Sequence, residues 1–274
     1  MKLKAIFEFL NQIWGVTKIG APPTLKAVLS SPSILLKPTT LSRIFFSHIW
    51  AAMTGGMDDW AKELKEEIIT PNAEGIVLDI GAGHGHSVLY LNRAVVNKYI
   101  AVEPNALMHP HIRSNASKTG FHESDGSLVI LSHGAEDTKS ILRFLHDATG
   151  VPDTQVDTLI SVRTLCTVPA PQKTLADLVG DVLKPGGHFI MYEHVRSKLE
   201  DVAWWQGFFA PIWSVFFDGC RLNRPTDVWV ERLKINIQGE EVKAWKEGKV
   251  WRNESDPPIE DNLFPHLVGV FVKV

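Results

Sequence analysis

From residue 75 onward the sequence alternates short apolar runs with amphipathic stretches, and this alternation limits the chain more than any other feature. Apolar runs at 75–80, 98–102, 127–131, 156–161 and 188–192 read as buried strands. The stretches between them, 84–93, 107–118, 138–147 and 172–183, read as helices, the last one closed by Pro185-Gly186-Gly187. Strands that alternate with helices imply a parallel sheet covered on both faces. Right-handed crossovers then give a doubly wound α/β fold. The tail predicts an aromatic helix over 203–217 and two late strands at 233–238 and 266–273. The expected sheet has seven strands, mostly parallel, with an antiparallel last strand.

Residues 1–70 do not follow this pattern. Helical segments there are interrupted by prolines at 22, 23, 32 and 38, and a charged helix over 58–69 stops before Pro71. The chain therefore divides into a helical extension or lid, 1–70, and an α/β domain, 71–274. Leu3, Ile6, Leu10, Ile13 and Trp14 fall on one helical face with Lys2, Lys4 and Lys18 beside it. Two arrangements fit: a helix packed on its own domain, or peripheral membrane contact through residues 1–20. No run is long enough to span a bilayer. Two cysteines among 274 residues fit a reducing, cytoplasmic compartment, including the surface of an intracellular membrane. A net charge of −3 gives no footprint for nucleic acid. Nothing in the sequence fixes an oligomeric state.

The chemistry starts at the first strand end, Asp79-Ile80-Gly81-Ala82-Gly83-His84-Gly85. Glycines in such a turn let the backbone take positive φ and approach a ligand closely. Asp79, Gly81, Ala82, Gly83 and Gly85 are thus candidate cofactor contacts. The spacing is not the G-x-G-x-x-G of dinucleotide dehydrogenases, since position 86 is His. Glu103, followed by Pro104, ends the second strand, where a carboxylate can accept hydrogen bonds from both ribose hydroxyls. Glu136 follows the third strand and can accept from an adenine amino group, while Asp137 can cap the next helix.

With Leu183-Lys184-Pro185-Gly186-Gly187 added, these motifs resemble the Rossmann-like class I methyltransferase superfamily, whose cofactor is S-adenosyl-L-methionine. Further segments resemble the methyltransferase-like seven group, which includes membrane-associated thiol S-methyltransferases. They are Leu165-Cys166-Thr167-Val168, Tyr192-Glu193-His194-Val195, Trp205-Gln206, Phe217-Asp218-Gly219-Cys220-Arg221 and Pro265-His266-Leu267-Val268-Gly269. The resemblance covers roughly residues 75–274. It implies that the backbone at Ser161 and Val162 meets the methionine end of the cofactor and that Arg163 borders the acceptor. This chain departs from those relatives in a shorter, proline-broken N-terminal segment and in the sequence Ser161-Val162-Arg163-Thr164.

The implied reaction is in-line methyl transfer to a lipophilic thiol, amine or hydroxyl. His194, Asp218 and Cys166 are candidates for acid–base work, although capping, turn formation and core packing would also account for them. Trp204 and Trp205, in the aromatic helix, are candidates for an acceptor pocket. The pairs His84/His86 and His109/His111 lack accompanying acids and make no metal site. A NAD(P)-dependent oxidoreductase and a catalytically inactive cofactor-binding protein are the alternatives.

Overall fold

A computed structural model describes residues 3–149, 154–253, 256–260 and 262–274. Its centre is a seven-stranded sheet in the order β3-β2-β1-β4-β5-β9-β8. The strands are β1 (Gly75–Ile80), β2 (Val96–Val102), β3 (Leu128–Leu131), β4 (Val156–Val162), β5 (Leu183–His194), β8 (Trp245–Trp251) and β9 (His266–Lys273). The first five run parallel, and β9 pairs antiparallel with both β5 and β8. Alternate residues feed opposite cores. Leu78, Ile80, Ile100, Leu159 and Phe189 face the side carrying α5 (Thr138–Thr149) and α6 (Pro171–Asp177). Val77, Tyr99, Ala101, Ile160 and Tyr192 face the side carrying α3 (Lys62–Ile68) and α4 (His109–Lys118).

Four local expectations change. The helix expected over 84–93 shrinks to one 3₁₀ turn, His86–Tyr90, because the backbone first turns through Gly81, Gly83 and Gly85, at φ 60°, 56° and 72°. Pro185-Gly186-Gly187 does not precede the fifth strand but bulges out of it. Val156 pairs with Leu183, whereas Thr158 already pairs with His188. The run near 233–238 joins a separate hairpin, β6 (Lys234–Ile237) with β7 (Glu240–Lys243). The seventh strand of the main sheet is instead β8, an edge strand with no fully buried residue.

The fourth change is at the N-terminus. Helix α1 (Leu3–Ser30) runs through Pro22 and Pro23. Interior prolines cost hydrogen bonds, and tertiary packing offsets that here. Gly20 lies so close to Phe45 of α2 (Pro38–Trp60) that a Cβ there would approach the ring to 2.7 Å. Phe9 stacks on Phe209 of α7 (Glu200–Phe216), with ring centroids 4.0 Å apart. From residue 3 onward this segment therefore forms helices, α1 and α2 packing on each other and on α7 and α3 packing on the sheet face. Among the described residues, no helix is long and apolar enough to cross a membrane.

Candidate active site

At the carboxyl ends of β1, β2, β4 and β5, where a doubly wound sheet opens, lies a cavity of about 840 Å³. Gly81, Gly83, Glu103, Pro104 and Glu136 line one part of it. Val162, Arg163, Cys166, His194 and Asp218 line another. Asp79 and Ala82 face a smaller adjoining cleft that shares Gly81, Val162 and Arg163 with the main cavity.

The glycine turn is held from three sides. Buried Asp79 accepts a hydrogen bond from Tyr99 at 2.7 Å. Burial pushes its carboxyl up to about 6, against hydrogen bonds from Tyr99 and Ser87. Glu103 is also buried, and each of its oxygens accepts a backbone N–H at 2.8 Å, one from Gly83 and one from Asn105. Burial pushes Glu103 up to about 7, and the two N–H donors offset only part of that rise. The third side is an ion pair. Lys65 Nζ reaches Asp58 Oδ1 at 2.5 Å, while Tyr90 donates to Asp58 Oδ2 at 2.9 Å and His86 Nδ1 lies 3.1 Å from the same oxygen. Burial alone would raise Asp58, but the His86 and Lys65 contacts outweigh it and hold the group at about 2. The ion pair ties the end of α2 to α3, and the His86 and Tyr90 contacts fasten that end to the 3₁₀ turn that follows the glycines.

The loop after β4 is organised by Glu193. Its fully buried Oε1 accepts from the Ser161 hydroxyl (2.6 Å) and from the N–H groups of Thr164 (2.9 Å) and Leu165 (3.1 Å). Arg163 takes φ 57° there and lays its guanidinium 5.0 Å from the centre of the Tyr192 ring. Beyond the loop, Cys166 Sγ is 3.2 Å from Cys220 Sγ, which is 3.6 Å from His194 Nδ1. The hydrogen bond with Cys220 and burial push the Cys166 thiol well above its ordinary range. Burial also raises Asp218, opposed by Arg43 and Ser42 of α2.

Four sequence candidates are not at the cavity wall. The hydroxyl of Ser161 is spent on Glu193 inside the sheet. Gly85 turns away from the cavity, and a Cβ there would lie 3.2 Å from Ile112 Cα, so this glycine permits close packing of α4. Trp204 is 62% exposed and Trp205 packs with Phe209. Helix α7 faces the cavity only at its far end, through Trp213 and the following Phe217. Asp137 does cap α5, accepting the Ser140 N–H at 3.2 Å. His84 and His111 stack at 3.8 Å, and burial with the two neighbouring imidazoles holds His84 down at about 4.

The sequence reading missed the wall supplied by α2. Phe46, Ile49, Trp50, Met53 and Met57 line the cavity. Their i, i+3, i+4, i+7, i+11 spacing is a legible helical stripe; nothing local says that it faces a ligand.

A glycine turn with left-handed backbone at the cavity wall and a buried carboxylate one strand away define a nucleoside-cofactor site of the Rossmann-like type. A family model described as a methyltransferase domain matches residues 50–224. Thiol S-methyltransferase TMT1B of Mus musculus is 35% identical over 242 residues, 85% of this chain and 88% of that protein. TMT1A of Homo sapiens is 36% identical over 125 residues, 45% of this chain and 46% of that protein. An O-methyltransferase family protein from Burkholderia thailandensis shares the fold with a TM-score of 0.52 at 14% identity, over 85% of this chain and 60% of that one. The chain belongs to the methyltransferase family and is an S-adenosyl-L-methionine-dependent enzyme. The oxidoreductase alternative is thereby set aside.

Proposed function

We propose that the protein methylates the sulfur of lipophilic small-molecule thiols. The observation that carries this is the single cavity joining two unlike regions. Polar backbone and Glu103 suit a nucleoside at one end, and apolar side chains of α2 and α7 wall the other, beside Cys166, His194 and Cys220. The thiol S-methyltransferases among its relatives support sulfur as the acceptor atom. In this reading Glu103 accepts the ribose hydroxyls, Glu136 the adenine amino group, and the backbone at Val162 and Arg163 borders the methionine end. The cofactor supplies an electrophilic methyl on a sulfonium. The chain's part is to align the acceptor and exclude water, with Phe46, Trp50, Met53, Trp213 and Phe217 forming the dry wall. Transfer of labelled methyl into a panel of hydrophobic thiols, amines and phenols tests this. Thiols should dominate; a panel in which amines or phenols are preferred overturns it.

The same reading places the enzyme against a lipid surface, where lipophilic acceptors concentrate. What supports it is a pair of outward apolar rows on two helices packed together. Phe7, Leu10, Trp14, Leu25 and Leu29 are exposed along α1, and Trp204, Phe208, Ile212 and Val215 along α7. Each set recurs at helical spacing. Exposed Lys18, its ammonium 4.9 Å from the centre of the Trp14 ring, adds positive charge at this face. A strongly apolar face edged with Lys is the pattern of an interfacial helix. Flotation with anionic vesicles should recover the protein, and a Trp204→Ser/Phe208→Ser/Leu25→Ser variant should stay below. Equal flotation of both proteins would refute the placement.

A further inference from the structure

Cys166, His194 and Cys220 come from three separate parts of the chain: the loop after β4, the last residue of β5, and the turn after α7. The fold gathers them so that one sulfur, one ring nitrogen and the second sulfur all lie within 4.8 Å of one another. Two sulfurs and an imidazole are the donor set that zinc prefers. With metal–sulfur bonds of about 2.3 Å and metal–nitrogen bonds of about 2.0–2.1 Å, tetrahedral donors sit roughly 3.6–3.8 Å apart. The Cys220–His194 separation of 3.6 Å already matches, and the 3.2 Å between sulfurs needs only a small opening.

The surroundings fit a cation that takes part in chemistry rather than a closed structural ion. All three side chains line the cavity. Three protein ligands with a fourth position open to a pocket is the pattern of reactive zinc sites. Two thiolates neutralise the ion, and a third would add one negative charge. The guanidinium of Arg224 lies near both cysteines, fixed by the carbonyls of Leu165 (2.6 Å) and Val168 (2.8 Å). The His194 ring also lies beside His266, tilted by 45° with centroids 4.2 Å apart. The histidine pairs set aside in the sequence lie elsewhere, and nothing in the spacing 166, 194, 220 announces a metal motif.

We propose that Cys166, His194 and Cys220 hold a zinc ion whose fourth ligand is the acceptor thiol. The fourth-ligand role rests on the thiol reading above; metal binding itself does not. A free thiol with a pKa near 8.5 is only a few per cent ionised at neutral pH, whereas a coordinated thiol is deprotonated outright. On binding, the acceptor S–H bond breaks, its proton passes to solvent and the sulfur joins zinc. That sulfur then forms the bond to the methyl carbon as the donor's carbon–sulfur bond breaks, with the bonding pair staying on the donor sulfur. The products are a thioether, a weaker ligand that leaves, and S-adenosylhomocysteine.

The test begins with metal content. The full chain, purified under reducing conditions without chelator, should carry one zinc per chain. Its cobalt-substituted form should show thiolate-to-cobalt charge-transfer absorption. Cys166→Ser and Cys220→Ser should each lose about half of that absorption, and His194→Gln should bind cobalt more weakly. Hexanethiol, added without methyl donor, should increase the band. Removing zinc should slow thiol methylation at least about tenfold, with recovery on re-addition. A wild-type protein that binds neither zinc nor cobalt overturns the site without recourse to any variant, as does a Cys220→Ser protein with an unchanged cobalt spectrum. A spectrum indifferent to hexanethiol overturns only the fourth-ligand role. A thiol-responsive cobalt site in a protein that methylates no thiol overturns the function proposed above and leaves the metal site standing.

Discussion

If Glu103 is the ribose acceptor, cofactor affinity must depend on pH across neutrality. Burial pushes the Glu103 carboxyl up to about 7 in the free protein. Two ribose hydroxyls donate well only to the ionised form, so binding selects the carboxylate and lowers its pKa. With a pKa of about 7, roughly one tenth of the groups are ionised at pH 6 and roughly nine tenths at pH 8. The dissociation constant for S-adenosylhomocysteine should therefore fall about tenfold over that interval, about 1.4 kcal/mol. At pH 7 binding should release roughly half a proton, which titration calorimetry in buffers of different ionisation enthalpy measures directly. Glu103→Gln removes the titration. It also removes a charge-assisted contact, about 1.5–3 kcal/mol, and so weakens binding at pH 8 by roughly ten- to a hundredfold. The amide turns one acceptor into a donor facing the N–H of Gly83 or Asn105, so a thermal melt must accompany the titration. Asp79, at about 6, titrates lower and is not removed by this substitution. An affinity flat between pH 6 and 8, or the same slope in Glu103→Gln as in wild type, refutes the assignment.

Other expectations concern the parts that hold the site. Gly83→Arg should abolish cofactor binding, because a side chain there starts 3.0 Å from Trp50 Nε1, at φ 56°, and enters the cavity; calorimetry with S-adenosylhomocysteine reads this. Asp58→Asn should cost about 3–5 kcal/mol in chemical denaturation, since it strands a buried Lys65, while Asp58→Asn/Lys65→Met should cost less. Because folding lowers the Asp58 pKa from 3.8 to about 2, its contribution of about 2 kcal/mol is present above pH 4 and is lost as the pH falls through 2. Acid denaturation of Asp58→Asn should lack that component. Glu193→Ala leaves the N–H groups of Thr164 and Leu165 unpaired, at about 1–3 kcal/mol each, and should raise the KM for acceptor more than the Kd for cofactor.

That Gly81, Gly83 and Glu103 meet at one cavity is legible because their signals are local. A strand followed by a glycine turn, and an acid at the next strand end, each occupy a few consecutive residues, and the topology then brings them together. The fold was legible for the same reason wherever strands are buried on both faces. It failed at β8, where Trp245-Lys246-Glu247-Gly248-Lys249 is largely exposed and carries no apolar run. It failed also at Pro22 and Pro23, where packing of α1 on α2 overrides a local helix breaker. Trp204 and Trp205 were misplaced because spacing gives the period of a helix but not the azimuth at which it docks. Val202, Gln206, Phe209 and Trp213 face inward, leaving Trp204 and Phe208 outside.

The apolar half of the cavity, assigned above to the acceptor, has no such local signature, and the reason is geometric. Its wall is assembled from α2, the loop after β4, the end of β5 and the turn after α7, segments more than a hundred and fifty residues apart at the extremes. Cys166 and Cys220 are separated by 54 positions yet meet at 3.2 Å. In a doubly wound sheet the cofactor binds to what the topology fixes, the turns at the strand ends. In the function proposed above the acceptor is left to whatever the helical additions close over it, here α2 from one side and the end of α7 from the other. Exchanging those additions should change the acceptor without touching Asp79, Gly83 or Glu103. A Phe46→Ala/Met53→Ala protein should accordingly keep its affinity for S-adenosylhomocysteine while its KM for long-chain thiols rises. The two side chains together represent several kcal/mol of apolar contact, about 1.5–3 each when fully buried. A matching loss of cofactor affinity would show that the two halves are not separable, and with that the division argued from the topology would fail.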